Sequence, residues 1–201
     1  MTILAASKAA NALLQRSEYR NAKRVSIFLS MEGKEISTSS IVKHALSNGK
    51  KVFVPYIHKA GGETPPKSIM DMLELSSWED FQSLEKDKWG IPTLSSATLS
   101  DRENVFGGHG LSQDEETLRN KGCGEIEVGA EENALDLIVV PAVAFDHGFY
   151  RLGHGKGYYD TFFSRCKNQI VNGTLHRMPA LGSYTPKSLL YQSCLPVYLL
   201  I

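Results

Sequence analysis

The N-terminal part of the chain alternates between amphipathic and continuously apolar segments. Its first apolar positions share one broad helical face, which predicts a first helix: Ile3, Leu4, Ala10, Leu13 and Leu14. Lys8, Arg16 and Arg20 stand there against a single acidic residue, so a mitochondrial transit peptide is the alternative interpretation. Residues 24–30 and 51–56 are rich in β-branched and aromatic side chains, which predicts two buried strands.

A second helix is predicted between these two strands. Thr38 can cap its amino end, and Asn48-Gly49 is typical of a helix C-terminus. The order strand–helix–strand is typical of a parallel sheet with crossover helices. Residues 134–145 form the most apolar run of the chain and predict a central strand covered on both faces. The predicted fold class is therefore α/β, a three-layer Rossmann-like fold with a mainly parallel central sheet flanked by helices.

Residues 95–133 interrupt the pattern, because they are rich in Gly, Ser, Asp and Glu. We interpret them as a mobile surface insertion within a single domain that spans residues 1–201. His109 and Cys123 lie in this segment, but two isolated side chains do not make up a metal coordination set.

Composition narrows the choice of protein class. The chain has 201 residues, with 22 basic and 22 acidic side chains, so no net charge favours nucleic acid or an anionic membrane as a partner. No apolar run reaches the roughly 18 residues that a membrane span requires. The three cysteines are odd in number and far apart, which predicts reduced thiols. We therefore expect a cytoplasmic protein, with a mitochondrial location as the alternative.

The motif that carries chemistry follows the most apolar run. Residues 151–160 read Arg-Leu-Gly-His-Gly-Lys-Gly-Tyr-Tyr-Asp, and a helix is predicted from Tyr158 to about Cys166. In open α/β sheets ligands bind beyond the carboxyl ends of the strands, which is where this motif should lie. Glycines let backbone amides approach an anion and adopt positive φ, and the amino end of the next helix attracts the same anion.

Side chains within the motif favour a polyphosphate as that anion. Arg151, His154 and Lys156 add hydrogen-bond donors and positive charge, and Asp160 is suited to the Mg²⁺ that accompanies ATP. The Walker pattern is absent because Tyr158 stands where it requires Ser or Thr, and the dinucleotide pattern needs other glycine spacing. From the residues alone, the motif is an anion-binding turn, with an ordinary tight loop as the alternative.

The complete string resembles the signature of the 5-formyltetrahydrofolate cyclo-ligases, also called methenyltetrahydrofolate synthetases. The signature is Arg-Leu-Gly-x-Gly-Lys-Gly-Tyr-Tyr-Asp after a strand that ends in Pro-x-x-x-Phe-Asp. Further segments are similar to the family: Glu18-Tyr19, residues 23–31, Glu35-Ile36-Ser37-Thr38, residues 49–55 and Trp89-Gly90-Ile91-Pro92. The resemblance extends over about residues 18–166, interrupted by the insertion.

This resemblance implies an enzyme that uses ATP and Mg²⁺ to convert 5-formyltetrahydrofolate to 5,10-methenyltetrahydrofolate, with release of ADP and phosphate. It assigns ATP binding to Arg151, Leu152, Gly153, His154, Gly155, Lys156, Gly157, Tyr158 and Tyr159. It assigns substrate binding to Leu29, Glu35, His154, Gly155, Lys156, Gly157 and Tyr158. Catalysis falls on Arg151, His154 and Lys156, and the magnesium ligand is Asp160.

Met70 and Trp89 are expected to line a flat slot for the pterin ring. Structural interpretations stand beside the functional ones: Leu29 as plain core, Glu35 as a charge favoured at a helix start, and Trp89 as a lid over the core. The expected partners are the small molecules ATP and 5-formyltetrahydrofolate, with no nucleic acid and no membrane, and the expected state is a monomer.

Both ends of the chain depart from the family pattern. Relatives begin with a longer basic helix that contacts ATP, for which Lys8 and Arg16 are the only stand-ins. Relatives also carry a second metal-linked aspartate near the end, whereas no acidic residue follows Asp160 here. A catalytically weakened folate-binding relative is therefore the alternative function. A different Rossmann-like enzyme of phosphate sugars is a third hypothesis.

Overall fold

The structure, a computed structural model, describes residues 3–33, 35–59, 68–112, 134–145, 150–171 and 180–183. Its helices are α1 (Ile3–Leu14), α2 (Ser17–Asn21), α3 (Ser39–Ser47), α4 (Trp78–Gln82) and α5 (Tyr158–Val171), with a 3₁₀ helix at Ser96–Asp101. Its strands are β1 (Arg24–Ile27), β2 (Lys51–Lys59), β3 (Ser68–Leu75), β4 (Glu85–Lys86), β5 (Pro92–Thr93), β6 (Leu137–Val140), β7 (Ala144–Phe145), β8 (Arg151–Leu152) and β9 (Ala180–Ser183).

Five of these strands form the central sheet, in the order β3-β2-β1-β6-β9. Strand β1 lies between two parallel neighbours, with Val25 opposite Val52 of β2 and Leu137 of β6. Strand β9 is also parallel to β6, whereas β3 runs antiparallel to β2 at the edge. The sheet is therefore mainly parallel, as predicted. Strand β3 was not among the predicted elements.

Side chains on the two faces of the sheet belong to two separate cores. Val25, Val52 and Val139 pack with buried residues of α1 and α3, whereas Phe53 and Ile138 pack with buried residues of α5. Successive side chains of a strand point to opposite faces, so continuously apolar strands are what a sheet covered on both sides requires. The predicted three-layer arrangement is confirmed: α1 and α3 on one face, the sheet, and α5 on the other.

Helix boundaries agree with the signals in the sequence. Thr38 is the residue before α3, and its hydroxyl donates to the carbonyl oxygen of Phe28 at 2.8 Å instead of capping the helix. Asn48 closes the other end through its backbone N–H, followed by Gly49 at φ 69°. The N-terminal segment forms the predicted helix, and Ala10 is buried on its inner face.

The apolar run 134–145 is not one continuous strand. Strand β6 ends at Val140, and after Pro141 the chain forms β7, which pairs with β8 in a separate two-stranded ribbon. A proline has no N–H to donate to a neighbouring strand, so the sheet pairing stops there. The ribbon brings residue 151 next to the carboxyl end of β6.

Residues 95–112 differ from the expected surface insertion. Val105 donates to the carbonyl oxygen of Met72 at 3.1 Å, and Glu103 accepts from the backbone of Glu74 at 2.9 Å, so this segment follows the outer edge of β3. Leu99 and Val105 are buried beneath it. The first part of the predicted insertion is therefore part of the packed structure, and residues 113–133 lie outside the described residues. None of the helices in the described ranges is long and apolar enough to cross a membrane.

Candidate active site

The candidate site lies where β1 and β6 end. These neighbouring parallel strands release the chain at the same edge of the sheet, and Phe28 still donates to the carbonyl oxygen of Val139 at 3.3 Å. The connection from β1 continues to β2 on one side, whereas β6 and β9 extend the sheet on the other side. Ligands of open α/β sheets bind at such a reversal of strand order, outside the carboxyl ends of the strands.

The glycine motif forms a turn directly before α5. Gly155 and Gly157 adopt φ values of 76° and 70°, in the left-handed region that favours glycine. The carbonyl oxygen of Gly157 accepts from the backbone of Thr161 at 2.9 Å and so opens the helix. The first backbone N–H groups of a helix have no partner within it, and they point toward this turn. The prediction of positive φ is confirmed for these two glycines.

Gly153 lies directly beside the end of the Arg151 side chain. A Cβ at this position would lie 2.8 Å from Nη1 of Arg151, closer than real side chains approach. The Arg151 guanidinium therefore occupies the volume that a side chain at 153 would fill.

Arg151 is enclosed, with its side chain only 7% exposed. Its Nη1 donates to the carbonyl oxygen of Pro141 at 2.9 Å, and its Nη2 lies 3.4 Å from Oδ1 of Asp160. The guanidinium carbon stands 5.3 Å from the centre of the Tyr159 ring. This cation therefore contacts the end of β6 and the first turn of α5 at once.

His154 and Lys156 are placed differently from Arg151. Both side chains are exposed, and neither makes a hydrogen bond or ion pair with another residue in the described ranges. Because they stand on the positive-φ turn at the helix amino end, both side chains are accessible to a ligand at that turn. The structure thus separates the three predicted cations into one enclosed and two accessible side chains.

A cavity of about 370 Å³ lies at the same edge of the sheet. Polar and apolar residues from the segment after β1 and from the loop around β4 and β5 line it, including Ser30, Glu32, Glu35, Phe81, Leu84, Lys86, Gly90 and Pro92. The Glu35 carboxylate accepts from the backbone of Met31 at 2.7 Å, which fixes it at the wall. Lys86 and Glu32 form an exposed ion pair at the rim.

Tyr159 lies in the first turn of α5 and packs against both hydrophobic cores. Burial raises the pKa of its phenol, an effect that the charge of Arg151 opposes and the charge of Glu35 increases. The predicted substrate contact Glu35 and the predicted ATP-binding turn follow neighbouring parallel strands, β1 and β6, at the same edge of the sheet.

Other predicted site residues lie elsewhere. Met70 is wrong as a wall of the pterin slot, because it is buried in the core beneath α5. Leu29 is also buried, in the core on the opposite face, so its folate contact stays a prediction. Trp89 is 60% exposed and does not cover the core, which contradicts the interpretation as a lid. Leu152 is exposed, and Tyr158 is half-buried against the α5 core.

A cavity of about 430 Å³ lies at the opposite edge of the sheet, between the end of α3 and the end of β3. Its two lysines already have partners: Lys50 donates to the carbonyl oxygen of Ala22 at 2.5 Å, and Lys51 pairs with Glu103 at 2.6 Å. Gly49 and the amino end of α4 also line it, but Ser77 already caps that end by accepting from the backbone of Asp80 at 3.1 Å, and Glu79 and Asp80 place negative charge in its first turn. An anion is therefore better placed at the carboxyl edge of the sheet, where we locate the candidate site.

Sequence reasoning missed a buried polar cluster between β3 and the middle of α5. Asp71 of β3 accepts from His58 at 3.0 Å, from Arg165 at 2.9 Å and from both the backbone and hydroxyl of Ser112, at 2.7 and 2.9 Å. Burial by itself raises the pKa of Asp71, but the His58 hydrogen bond and the Arg165 charge lower it to about 2. A signal was present, since an aspartate stood within an otherwise apolar run.

The described residues contain no group of three or more His, Cys, Asp or Glu side chains that could hold a metal ion. Asp160 stands alone in the first turn of α5, with its side chain 72% exposed. Mg²⁺ at nucleotide sites is bound by one or two carboxylates together with phosphate oxygens and water. A single accessible carboxylate beside a phosphate-binding turn therefore fits this ion.

Cys166 lies buried beneath α5, and burial raises the pKa of its thiol to about 12. It therefore stays protonated and unreactive near neutral pH, in line with the predicted reduced thiols. Cys123 and Cys194 lie outside the described residues.

Known proteins of one enzyme family are similar to this chain. A protein named 5-formyltetrahydrofolate cyclo-ligase from Mus musculus is 32% identical over 154 residues, which are 77% of this chain and 60% of that protein. A probable 5-formyltetrahydrofolate cyclo-ligase from Caenorhabditis elegans is 32% identical over 76% of this chain and 58% of its own length. The chain thus spans about 60% of the length of these relatives.

An NMR structure of Aquifex aeolicus 5,10-methenyltetrahydrofolate synthetase aligns with 96% of this chain and 74% of its own, at 21% identity and a TM-score of 0.49. The sequence profile of the 5-formyltetrahydrofolate cyclo-ligase family matches residues 2–180, which include the β1 segment, the cavity loop and the glycine turn. With a match over most of its length, the chain belongs to the 5-formyltetrahydrofolate cyclo-ligase family.

Proposed function

We propose that this protein converts 5-formyltetrahydrofolate to 5,10-methenyltetrahydrofolate with consumption of ATP and release of ADP and phosphate. The observation that supports the proposal is that the glycine turn, with its accessible His154 and Lys156, and the cavity that Glu35 lines both lie beyond the carboxyl ends of the neighbouring strands β1 and β6. Both parts are needed, because the reaction joins a polyphosphate and a flat polar ring system at one place.

The glycine turn is the proposed site of the ATP phosphates. Backbone N–H groups at the start of α5 and the positive-φ glycines supply donors without side-chain bulk. His154 and Lys156 supply charge that neutralises the phosphate oxygens. Phosphoryl transfer depends mostly on positioning and on stabilising this charge, so no nucleophilic side chain is required.

The cavity of about 370 Å³ is the proposed site of the pterin ring. Glu35 presents a carboxylate that can accept from N–H donors of the ring, and its hydrogen bond from Met31 holds that carboxylate in place. The exposed ring of Trp89 stands next to Gly90 at the cavity wall and offers a flat apolar face for stacking.

The two sites together support a two-step reaction. The formyl oxygen on N5 first takes the γ-phosphoryl group of ATP, which turns a poor leaving group into phosphate. N10 then attacks the activated carbon and releases its proton to water, the C–O bond breaks, and phosphate departs to leave the methenyl bridge. Asp160 would hold a Mg²⁺ ion, which neutralises charge on the phosphates during transfer.

The wider assignments follow from the same proposal. The partners are the two small molecules, without nucleic acid or a membrane, and the protein acts as a monomer. The cytoplasm is the proposed location, with the mitochondrion as the alternative, and one relative at 28% identity, from Arabidopsis thaliana, carries the word mitochondrial in its name.

The test is an absorbance assay for 5,10-methenyltetrahydrofolate with purified protein, 5-formyltetrahydrofolate, ATP and Mg²⁺. We expect product only when all three additions are present, with ADP formed in equal amount. Absence of product at high protein concentration would contradict the proposal.

A folate-binding protein with weakened catalysis is the second candidate, because Asp160 is exposed and the described residues contain no group of three or more His, Cys, Asp or Glu side chains that could hold a metal ion. Titration calorimetry with 5-formyltetrahydrofolate separates the two. Binding without turnover favours the weakened relative, whereas absence of both points to the phosphate-sugar enzyme.

A further inference from the structure

The cations of the glycine turn differ in how much of them a ligand could reach. Arg151 has a side chain 7% exposed, and its Nε is buried without a hydrogen-bond partner. His154 and Lys156 are exposed. A side chain that is 7% exposed is poorly placed to contact a phosphate group. The role of Arg151 should therefore differ from that of His154 and Lys156.

Arg151 makes polar contacts with two segments besides its own, in addition to the apolar packing of α5 on the sheet. Nη1 reaches the carbonyl oxygen of Pro141 at the end of β6, and Nη2 reaches Asp160 in the first turn of α5. Between these two contacts the guanidinium fills the space beside Gly153 and lies over the ring of Tyr159. The planar fork of an arginine can make such divergent contacts at once, whereas an ammonium group at the end of a lysine cannot span them.

The backbone around Arg151 depends on the same arrangement. Val143 donates to the carbonyl oxygen of Leu152 at 2.8 Å, and the pairs Ala144–Leu152 and Phe145–Arg151 complete the short ribbon β7–β8. A two-stranded ribbon of this length is marginal by itself. It is held against the sheet by the Arg151 contact with Pro141, which makes the position of the glycine turn sensitive to this one side chain.

We propose that Arg151 is a positioning residue, which clasps the glycine turn and the start of α5 to the end of β6 and does not contact the phosphates. Direct contact with the phosphates falls to His154, Lys156 and the backbone amides. The kinetic part of this proposal rests on the proposed function, but the structural part does not.

Four variants test the proposal as two matched pairs: R151K with R151Q, and K156R with K156Q. R151K keeps the positive charge of Arg151 but loses the planar guanidinium that makes its divergent contacts. R151K and R151Q should therefore both lower kcat/KM for ATP by about 30-fold or more. Where the charge itself matters, K156R should stay within about fivefold of the native protein while K156Q loses about 100-fold. Rescue of activity in R151K but not in R151Q would overturn the clasp.

Hydrogen exchange of the ligand-free protein provides the second readout, independent of activity. We expect R151K to speed exchange by about tenfold or more in peptides covering residues 143–160, through local opening, while peptides of β1 and β2 keep native rates. K156Q should exchange as the native protein does. Native exchange rates over residues 143–160 in R151K would overturn the proposal.

Gly153→Ala serves if the Arg151 variants do not fold. It leaves the guanidinium intact but displaces it, so exchange over residues 143–160 should again rise about tenfold. Unchanged exchange would refute the clasp. Loss of turnover in the native protein itself, with these exchange differences present, would refute the proposed function and leave the clasp standing.

Discussion

Helix α5 takes part in two arginine–aspartate pairs, one at its amino end and one at its middle, and the two pairs differ in burial and in the number of their partners. The turn pair, Arg151–Asp160, lies at the amino end with 3.4 Å between Nη2 and Oδ1, and its carboxylate is 72% exposed. The core pair, Arg165–Asp71, joins the middle of α5 to strand β3. Its Nη2 and Oδ1 atoms are 2.9 Å apart, and its carboxylate is fully buried.

The surroundings of the two carboxylates explain the difference. Asp71 also receives hydrogen bonds from His58 and Ser112, so each of its oxygens is occupied. Asp160 has a single long contact and open solvent on its other side. A saturated, buried carboxylate stabilises a fold, whereas one with spare acceptor capacity is available to a ligand or metal ion. The number of hydrogen bonds that a carboxylate accepts, together with its burial, therefore distinguishes the two pairs, although both consist of an arginine and an aspartate.

The largest effect is expected from breaking the core pair with D71N. The substitution keeps the shape but leaves the Arg165 charge buried without its partner, which should lower the free energy of unfolding by about 3 kcal/mol or more. Urea unfolding followed by circular dichroism measures it. D160N, the matched change in the exposed pair, should cost less than about 1 kcal/mol. Equal losses in the two variants would show that burial does not distinguish the pairs. D101N, an exposed carboxylate in the 3₁₀ helix, is the neutral control.

The substitution Lys156→Ala tests the exposed glycine turn before α5. Removal of an accessible phosphate-binding charge should reduce kcat/KM for ATP by about 100-fold and leave the free energy of unfolding unchanged, because Lys156 has no partner among the described residues. Coupled kinetics and urea unfolding on the same preparation provide the two numbers. Lys167→Ala, also exposed on α5, should change neither. A folded K156A protein with native ATP kinetics would remove Lys156 from the site.

Protonation of Asp71 at low pH should remove the stability that the core pair contributes. The pKa of Asp71 is about 2 in the folded chain, below the ordinary value of 3.8, because the His58 hydrogen bond and the Arg165 charge outweigh burial. The carboxylate therefore contributes stability above the unfolded pKa and loses it as pH falls from about 4 through about 2, a change of about 2 kcal/mol. The check is the free energy of unfolding at about pH 5 and about pH 2.5 in the native and D71N proteins. The same decline in both would exclude Asp71 as its source.

The smallest effect concerns His154. H154A removes an exposed hydrogen-bond donor from the glycine turn, so the affinity for ATP should fall by about threefold. Calorimetric titration of the native and H154A proteins at one pH measures the change. If the two affinities coincide, His154 does not contribute to ATP binding.

Several features of the fold follow from local pattern. The apolar strands and the capped helix α3 were predicted close to their observed bounds, since their signals are contained within ten or so neighbouring residues. Strand β3 escaped prediction because its buried polar residue, Asp71, resembles a loop residue until Arg165 and His58 are brought to it. The same strand explains the error over Met70, whose direction depends on register: a shift of one residue moves a side chain to the other face of a sheet.

The sequence by itself determined the glycine turn, the parallel core strands and membership of the family, because glycine conformation and apolar periodicity are local properties. Only the tertiary structure decided which charges are enclosed. Arg165 and Asp71 are 94 positions apart in the chain, and Arg151 meets Pro141 only across the β7–β8 ribbon. Burial and the number of partners around a charge depend on such distant contacts, so no motif could distinguish the enclosed Arg151 from the accessible Lys156.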